Sequence, residues 1–253
     1  SVSLSISRAG QLDLPGLLMG LERYPYGCTE QTTSRAWPLL LAEKQDFELY
    51  DNAQQNTLFS NRHEIMQKAI GRILGMQLYN GGFGYWPGDN YASTWGTNYA
   101  GHFMLEAKQK GYALPISFMG NWLMYQQNTA RQWRNSNTHY NSSLTQAYRL
   151  YTLALAGKPE LAAMNRLRES KDLSNDAKWR LAAAYALAGK KNVAEQIAQV
   201  ANINFVPEKY DYYTYGSPFR NRSMALEALV LLGDSKQRDL AISVAKDLSS
   251  QNW

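Results

Sequence analysis

Apolar residues recur at helical spacing almost everywhere after about residue 11, and three of these runs stop on a glycine. They are SSLTQAYRLYTLALAG, SNDAKWRLAAAYALAG and RSMALEALVLLG, ending at Gly157, Gly189 and Gly233. A glycine just past the last periodic residue adopts the left-handed conformation that ends a helix without a Cβ penalty. Each stop is followed by a polar turn and a second amphipathic stretch, PELAAMNRLRES, NVAEQIAQVA and KQRDLAISVAKDL. Helical hairpins are therefore the repeating unit. Their glycines stand 32 and then 44 residues apart, whereas an open solenoid keeps a nearly fixed period because each repeat stacks alike on the last. The unequal spacing predicts a closed ring of paired helices, an all-α fold of the α/α-toroid class.

The earlier half continues the pattern without sharing the repeat. LDLPGLLMGLERY, TEQTTSRAWPLLLAEK, HEIMQKAIGRILGMQLY and STWGTNYAGHFMLEAKQKG are predicted helices. Strand-like alternation is confined to SVSLSIS. Residues 1–10 are accordingly read as the remnant of a preceding β domain or a linker, and 11–253 as the helical domain. Glycine and proline punctuate three loops rich in aromatics, Asn80 to Ser93, Arg131 to Ser142 and Asn204 to Arg222. Aromatics there more often close the end of a core than bind a ligand.

Several function classes are disfavoured. The net charge of +5 is spread along the chain with no basic run, so nucleic acid is not an expected partner. No stretch reaches the roughly 18 to 20 apolar residues of a membrane span, so no membrane contact is expected from this piece. SVSLSISRAG does not have the form of a secretory leader. A single cysteine excludes an internal disulfide framework and a cysteine-rich zinc site, and neither metal nor cofactor is expected.

That one cysteine stands in YPYGCTEQ, three residues before a glutamine. If Gly27 makes the turn and Cys28 enters a helix, Gln31 lies one turn on along the same face. Attack of the Cys28 sulfur on the Gln31 carboxamide carbon, with loss of ammonia, would close a thiolactone of roughly 15 ring atoms. An acyl group stored on sulfur must be kept from water, and Tyr24, Tyr26 and Trp37 are candidate shields. The bland reading of Cys28 is a small buried hydrophobe. For Tyr24 and Tyr26 it is packing of the preceding helix end.

LLMGLERYPYGCTEQ resembles the thioester motif of the alpha-2-macroglobulin and complement superfamily, Pro-x-Gly-Cys-Gly-Glu-Gln in animal members and variable after the cysteine in bacterial ones. Thr29 departs from the animal pattern and matches the bacterial one. GGFGYWPG, STWGTNYAGHFMLEAKQKG and SSLTQAYRLYTLALAG resemble further segments of the family, and Pro38 falls where the family tends to interrupt the helix. The resemblance spans about residues 11 to 253 and identifies a bacterial thioester domain, itself an α/α toroid. The chain stops at SSQNW, so the resemblance implies that the last helices are lacking.

The resemblance implies a single-turnover protease inhibitor and not an enzyme. Full-length relatives let a protease cleave a bait region, then acylate a nucleophile on it, commonly a lysine amine. Gln31 would be the acyl donor and Cys28 the leaving thiolate of a self-formed cross-link, with Gly27 and Glu30 as motif neighbours. For Glu30 the plain reading is favourable charge in a first helical turn. Some relatives relay the acyl group through a downstream histidine. His139 occupies the corresponding loop and is the candidate relay, while His63, expected at a helix start, and His102 in mid-helix are read as structural; amines are the expected targets. Partners would be target proteases, held covalently, and other domains of the full-length protein, with Tyr210, Tyr212, Tyr213 and Tyr215 as candidate contacts. Periplasmic location with a lipid anchor follows from the family alone.

Two alternatives stay open at this level. One is a carbohydrate-processing α/α-toroid enzyme, which needs a carboxylate pair that Asp89, Glu208 and Asp211 do not evidently supply. The other is a helical scaffold in which Cys28 is inert.

Overall fold

The computed structural model describes residues 27–41, 53–135, 142–171, 173–205 and 213–250. The predicted strand in SVSLSIS and the helix in LDLPGLLMGLERY lie outside them, as do the final residues 251–253. Ten helices make up the described secondary structure. They are α1 Thr29–Leu41, α2 Ala53–Leu74, α3 Thr94–Gln109, α4 Ile116–Gln132, α5 Ser143–Leu155, α6 Leu161–Arg168, α7 Asn175–Leu187, α8 Lys191–Gln199, α9 Pro218–Leu232 and α10 Gln237–Ser250. Among the described residues none is long and apolar enough to cross a membrane. The described residues divide within α4 into two compact units, one holding those up to Tyr125 and the other those from Gln126 on.

In the first unit α1 packs against α2 and α3. Contact with α3 is aromatic: the Trp37 ring lies 5.0 Å from Tyr99, 4.6 Å from His102 and 5.9 Å from Phe103. Pro38 does not interrupt α1, which runs on to Leu41. Helix α2 begins ten residues before the predicted start, so His63 sits mid-helix, where its ring stacks on Tyr112 and meets Gln67 Nε2 at 3.0 Å. His102 is buried beside Glu106.

Helix α4 was not among the predicted helices. Phe118, Trp122, Gln126 and Ala130 form its buried stripe, while Ile116 and Met124 are exposed and blur the pattern. Trp122 is fully buried, donates from Nε1 to the Thr97 carbonyl at 3.0 Å, and lies so close to Gly101 that a Cβ there would meet its ring at 2.3 Å. Phe118 stacks on Phe83 at 5.5 Å. The segment between α2 and α3 is thereby anchored, since the Phe83 N–H also donates to Thr97 Oγ1 and its carbonyl accepts from Ser93. Ser93 caps α3 through the Gly96 N–H.

In the second unit α7 is central, touching α5, α6, α8 and α9. It is accordingly buried on nearly every side, and the alanines Ala177, Ala182, Ala183 and Ala184 let its neighbours approach closely. An all-round apolar helix is what a surrounded position requires. Arg180 of α7 reaches Glu227 of α9 at 2.5 Å and lies over the Tyr151 and Tyr148 rings of α5 at 4.4 and 5.0 Å. The Tyr151 hydroxyl donates to the same Glu227 carboxylate. Burial and the adjacent carboxylate push the Tyr151 phenol well above its ordinary range.

The glycine stops fall where the sequence places them. Gly157, Gly189 and Gly233 have φ of 70°, 72° and 68°. At each, the following N–H reaches back to the fifth preceding carbonyl: Lys158 to Leu153 at 2.9 Å, Lys190 to Tyr185 at 2.8 Å and Asp234 to Leu229 at 3.0 Å. These are Schellman ends.

Candidate functional site

Cys28 immediately precedes the first helical residue of α1, and Gln31 is the third residue of that helix. The Gln31 N–H donates to Cys28 Sγ at 3.3 Å, and the Cys28 N–H donates to Gln31 Oε1 at 3.4 Å. This is a capping box in which a thiol takes the place of the usual serine or threonine hydroxyl. The two side chains that the spacing pairs are thus held together by the ordinary chemistry of a helix entrance. Cys28 is fully buried and Gln31 half-buried. The sulfur lies inside while the carboxamide approaches the surface.

The same arrangement suits acyl transfer. A backbone N–H aimed at Oε1 polarises the carboxamide and stabilises the oxygen on which charge develops when sulfur attacks the carbon. The contact to sulfur has an ordinary length for so large an acceptor, while that to Oε1 is longer than optimal, as is common before a reaction draws the groups together.

The entrance is fixed from outside α1 as well. Arg72, in the last turn of α2, donates from Nε to the Gly27 carbonyl at 2.8 Å. A Cβ on Gly27 would meet that guanidinium at 2.3 Å, so a side chain there would require Arg72 to move. Thr29 is fully buried; its N–H donates to the Tyr85 carbonyl at 2.9 Å and its hydroxyl to the Gly84 carbonyl at 2.5 Å. Asp89 shapes that loop, because its Oδ2 accepts from the Tyr85 N–H at 2.9 Å and the Trp86 N–H at 2.8 Å. The carboxylate considered for sugar chemistry is committed to the backbone.

Glu30 accepts from Ser34 Oγ at 2.6 Å, and Ser34 in turn meets the Tyr99 hydroxyl at 3.1 Å. Burial pushes the Tyr99 phenol up to about 12, with the Glu30 carboxylate adding to the rise and the Ser34 hydrogen bond opposing it. Trp37 lies nine residues beyond Cys28, in the aromatic contact with α3. Tyr24, Tyr26, His139, Tyr210 and Tyr212 lie outside the described residues, as do Glu208 and Asp211. Tyr213 is exposed, and Tyr215 is half-buried with a left-handed φ of 53°. Sequence reasoning missed Arg72 and the contacts of Thr29, whose partners are remote in the chain, and the local turn that Asp89 closes.

The described residues are all-α, and the likeness to the solved structures below places the chain in the α/α-toroid class. The family model for the A-macroglobulin TED domain matches residues 3–154, and the chain belongs to that family. Among curated relatives, the alpha-2-macroglobulin of Xylella fastidiosa is 32% identical over 111 residues, covering 44% of this chain and 7% of that protein. Among solved structures, Salmonella alpha-2-macroglobulin reacted with methylamine superposes with a TM-score of 0.81 at 25% identity, over 96% of this chain and 16% of that one. Escherichia coli alpha-2-macroglobulin activated by porcine elastase gives a TM-score of 0.70 at 26% identity, over 91% of this chain and 21% of that one. The chain thus spans a small part of the length of the proteins it matches.

Proposed function

We propose that this domain stores an acyl group as a Cys28–Gln31 thioester and spends it once, on a protease that attacks the protein containing it. The supporting observation is the reciprocal cap, which brings Sγ to the backbone N–H of Gln31 and Oε1 to the backbone N–H of Cys28. Formation is balanced by loss of ammonia: the sulfur bonds to the carboxamide carbon, the carbon–nitrogen bond breaks, and the thiol proton leaves on nitrogen. In transfer, an amine attacks the same carbon, an amide forms, and the departing thiolate takes up the amine proton.

Lysine amines are the proposed targets, and Tyr24 and Tyr26, beside Cys28 in the chain, are the proposed shields. His139 is the candidate relay toward hydroxyls. No cofactor enters the reaction, and the sulfur is not turned over, which makes the protein an inhibitor. Methylamine reaction of the Salmonella relative and elastase activation of the Escherichia coli relative fit an amine-reactive acyl group with a protease trigger. The whole protein is proposed to work in the bacterial periplasm, tethered by lipid, with its remaining domains as partners.

The test is incubation of the complete protein with a serine protease, followed by denaturing electrophoresis. A band joining the two chains, lost in C28A, is expected. Equal joining in C28A would overturn the proposal.

A further inference from the structure

Both peptide groups that flank Cys28 are hydrogen-bonded at both polar atoms. In the first, the Gly27 carbonyl accepts from Arg72 Nε at 2.8 Å and the Cys28 N–H donates to Gln31 Oε1 at 3.4 Å. In the second, the Cys28 carbonyl accepts from the Thr32 N–H and the Thr29 N–H donates to the Tyr85 carbonyl, each at 2.9 Å. Fixing both peptide planes fixes the φ and ψ of Cys28, so its side-chain torsion is the main freedom left to the sulfur. Two of the four partners, Gln31 and Thr32, belong to α1 itself. The other two come from elements 45 or more residues away in sequence.

The Tyr85 side of this support is itself held by its own loop. A single Asp89 oxygen gathers the Tyr85 and Trp86 N–H groups, and a Cβ on Gly84 would meet Asp89 Cβ at 2.9 Å, so the turn closes tightly. With these N–H groups turned to Asp89, the Gly84 and Tyr85 carbonyls meet the Thr29 hydroxyl and N–H. A buried threonine hydroxyl spent on a loop carbonyl, one residue from the thiol, does nothing for the sulfur directly.

We propose that Thr29 and Asp89 are positioning residues for the Cys28–Gln31 reaction: Asp89 sets the Gly84–Tyr85 carbonyls, and through them Thr29 holds the backbone of Cys28 in the conformation that aligns sulfur with the carboxamide. The inference rests on the thioester reading above. Alignment of reacting groups is among the larger contributions to an intramolecular rate, so loosening it is felt in the chemistry more than in the fold.

The experiment compares T29V, T29S, D89A and D89N with the parent in the complete protein, reading the fraction of molecules about 17 Da light and the rate of methylamine uptake at Gln31. T29S keeps the hydroxyl, and D89N keeps one oxygen able to accept both N–H groups. These two should stay within about twofold of the parent, while T29V and D89A lower the light fraction about fivefold or more. Circular dichroism should remain that of the parent; if T29V loses it, the D89A and D89N pair decides. Folded T29V and D89A with parental yield and uptake would overturn the positioning role alone. A parent that never loses 17 Da would overturn the thioester reading, and this inference with it.

Discussion

Gln31 donates its backbone N–H to the Cys28 sulfur at 3.3 Å while its side-chain oxygen accepts from the Cys28 backbone N–H at 3.4 Å. A helix cap and the proposed reactive pair are here the same two residues. The local stability of the α1 entrance and the chemistry proposed for it can therefore be separated by substitution.

Serine caps helices better than a thiol, and alanine does not cap at all. C28S is expected to raise stability by about 0.5 kcal/mol and C28A to lower it by about 0.5–1 kcal/mol, relative to parent protein already treated with methylamine. Thermal unfolding would show this as an ordering C28S, parent, C28A, spread over about 2–6 °C. Both substitutions abolish acyl storage.

Q31E keeps an oxygen for the Cys28 N–H and adds negative charge to a first helical turn, where it is favourable by about 0.3–1 kcal/mol. It removes the amide nitrogen that must leave as ammonia. The variant should be at least as stable as the parent in denaturant, with its encoded mass unchanged and no protease-linked band.

In the second unit, Glu227 neutralises a nearly fully buried Arg180 and also receives the Tyr151 hydroxyl. E227Q leaves that guanidinium charged without its counter-ion, at a cost of about 2–4 kcal/mol, since one partner of a buried pair is harder to lose than both. Urea unfolding measures it. An effect below about 0.5 kcal/mol would mean that the two tyrosine rings suffice to hold Arg180.

Tyr99 carries a pH signature. Its phenol is pushed up to about 12 in the folded protein, against about 10 in an unfolded chain. Below pH 10 the phenol is neutral in both states and contributes no slope. Between about 10 and 12 the unfolded chain ionises first, so stability falls as pH rises through that window, by about 1–2 kcal/mol. Y99F should flatten this part of the profile, as measured by denaturant unfolding across the alkaline range.

Much of this fold was legible because its signals are local. Gly157, Gly189 and Gly233 mark helix ends through their own backbone, and each stops a helix where the periodicity does. Helix α4 was hidden by the exposed Ile116 and Met124, which add apolar residues to its outer face. Pro38 looked like an interruption, yet α1 carries it internally. At the site, the three-residue spacing of Cys28 and Gln31 was readable because a helix entrance converts spacing directly into contact. The Thr29 hydroxyl was not readable, since the Gly84 carbonyl it meets is 55 residues away and is presented only once Asp89 has closed its loop.

The central claim is that sulfur and carboxamide react with each other. Intact mass of freshly purified protein, before and after methylamine, tests it most directly. The account predicts a mass about 17 Da below that encoded, rising to about 14 Da above it as the amine adds at Gln31. An encoded mass that methylamine leaves unchanged, in the complete protein, would contradict it.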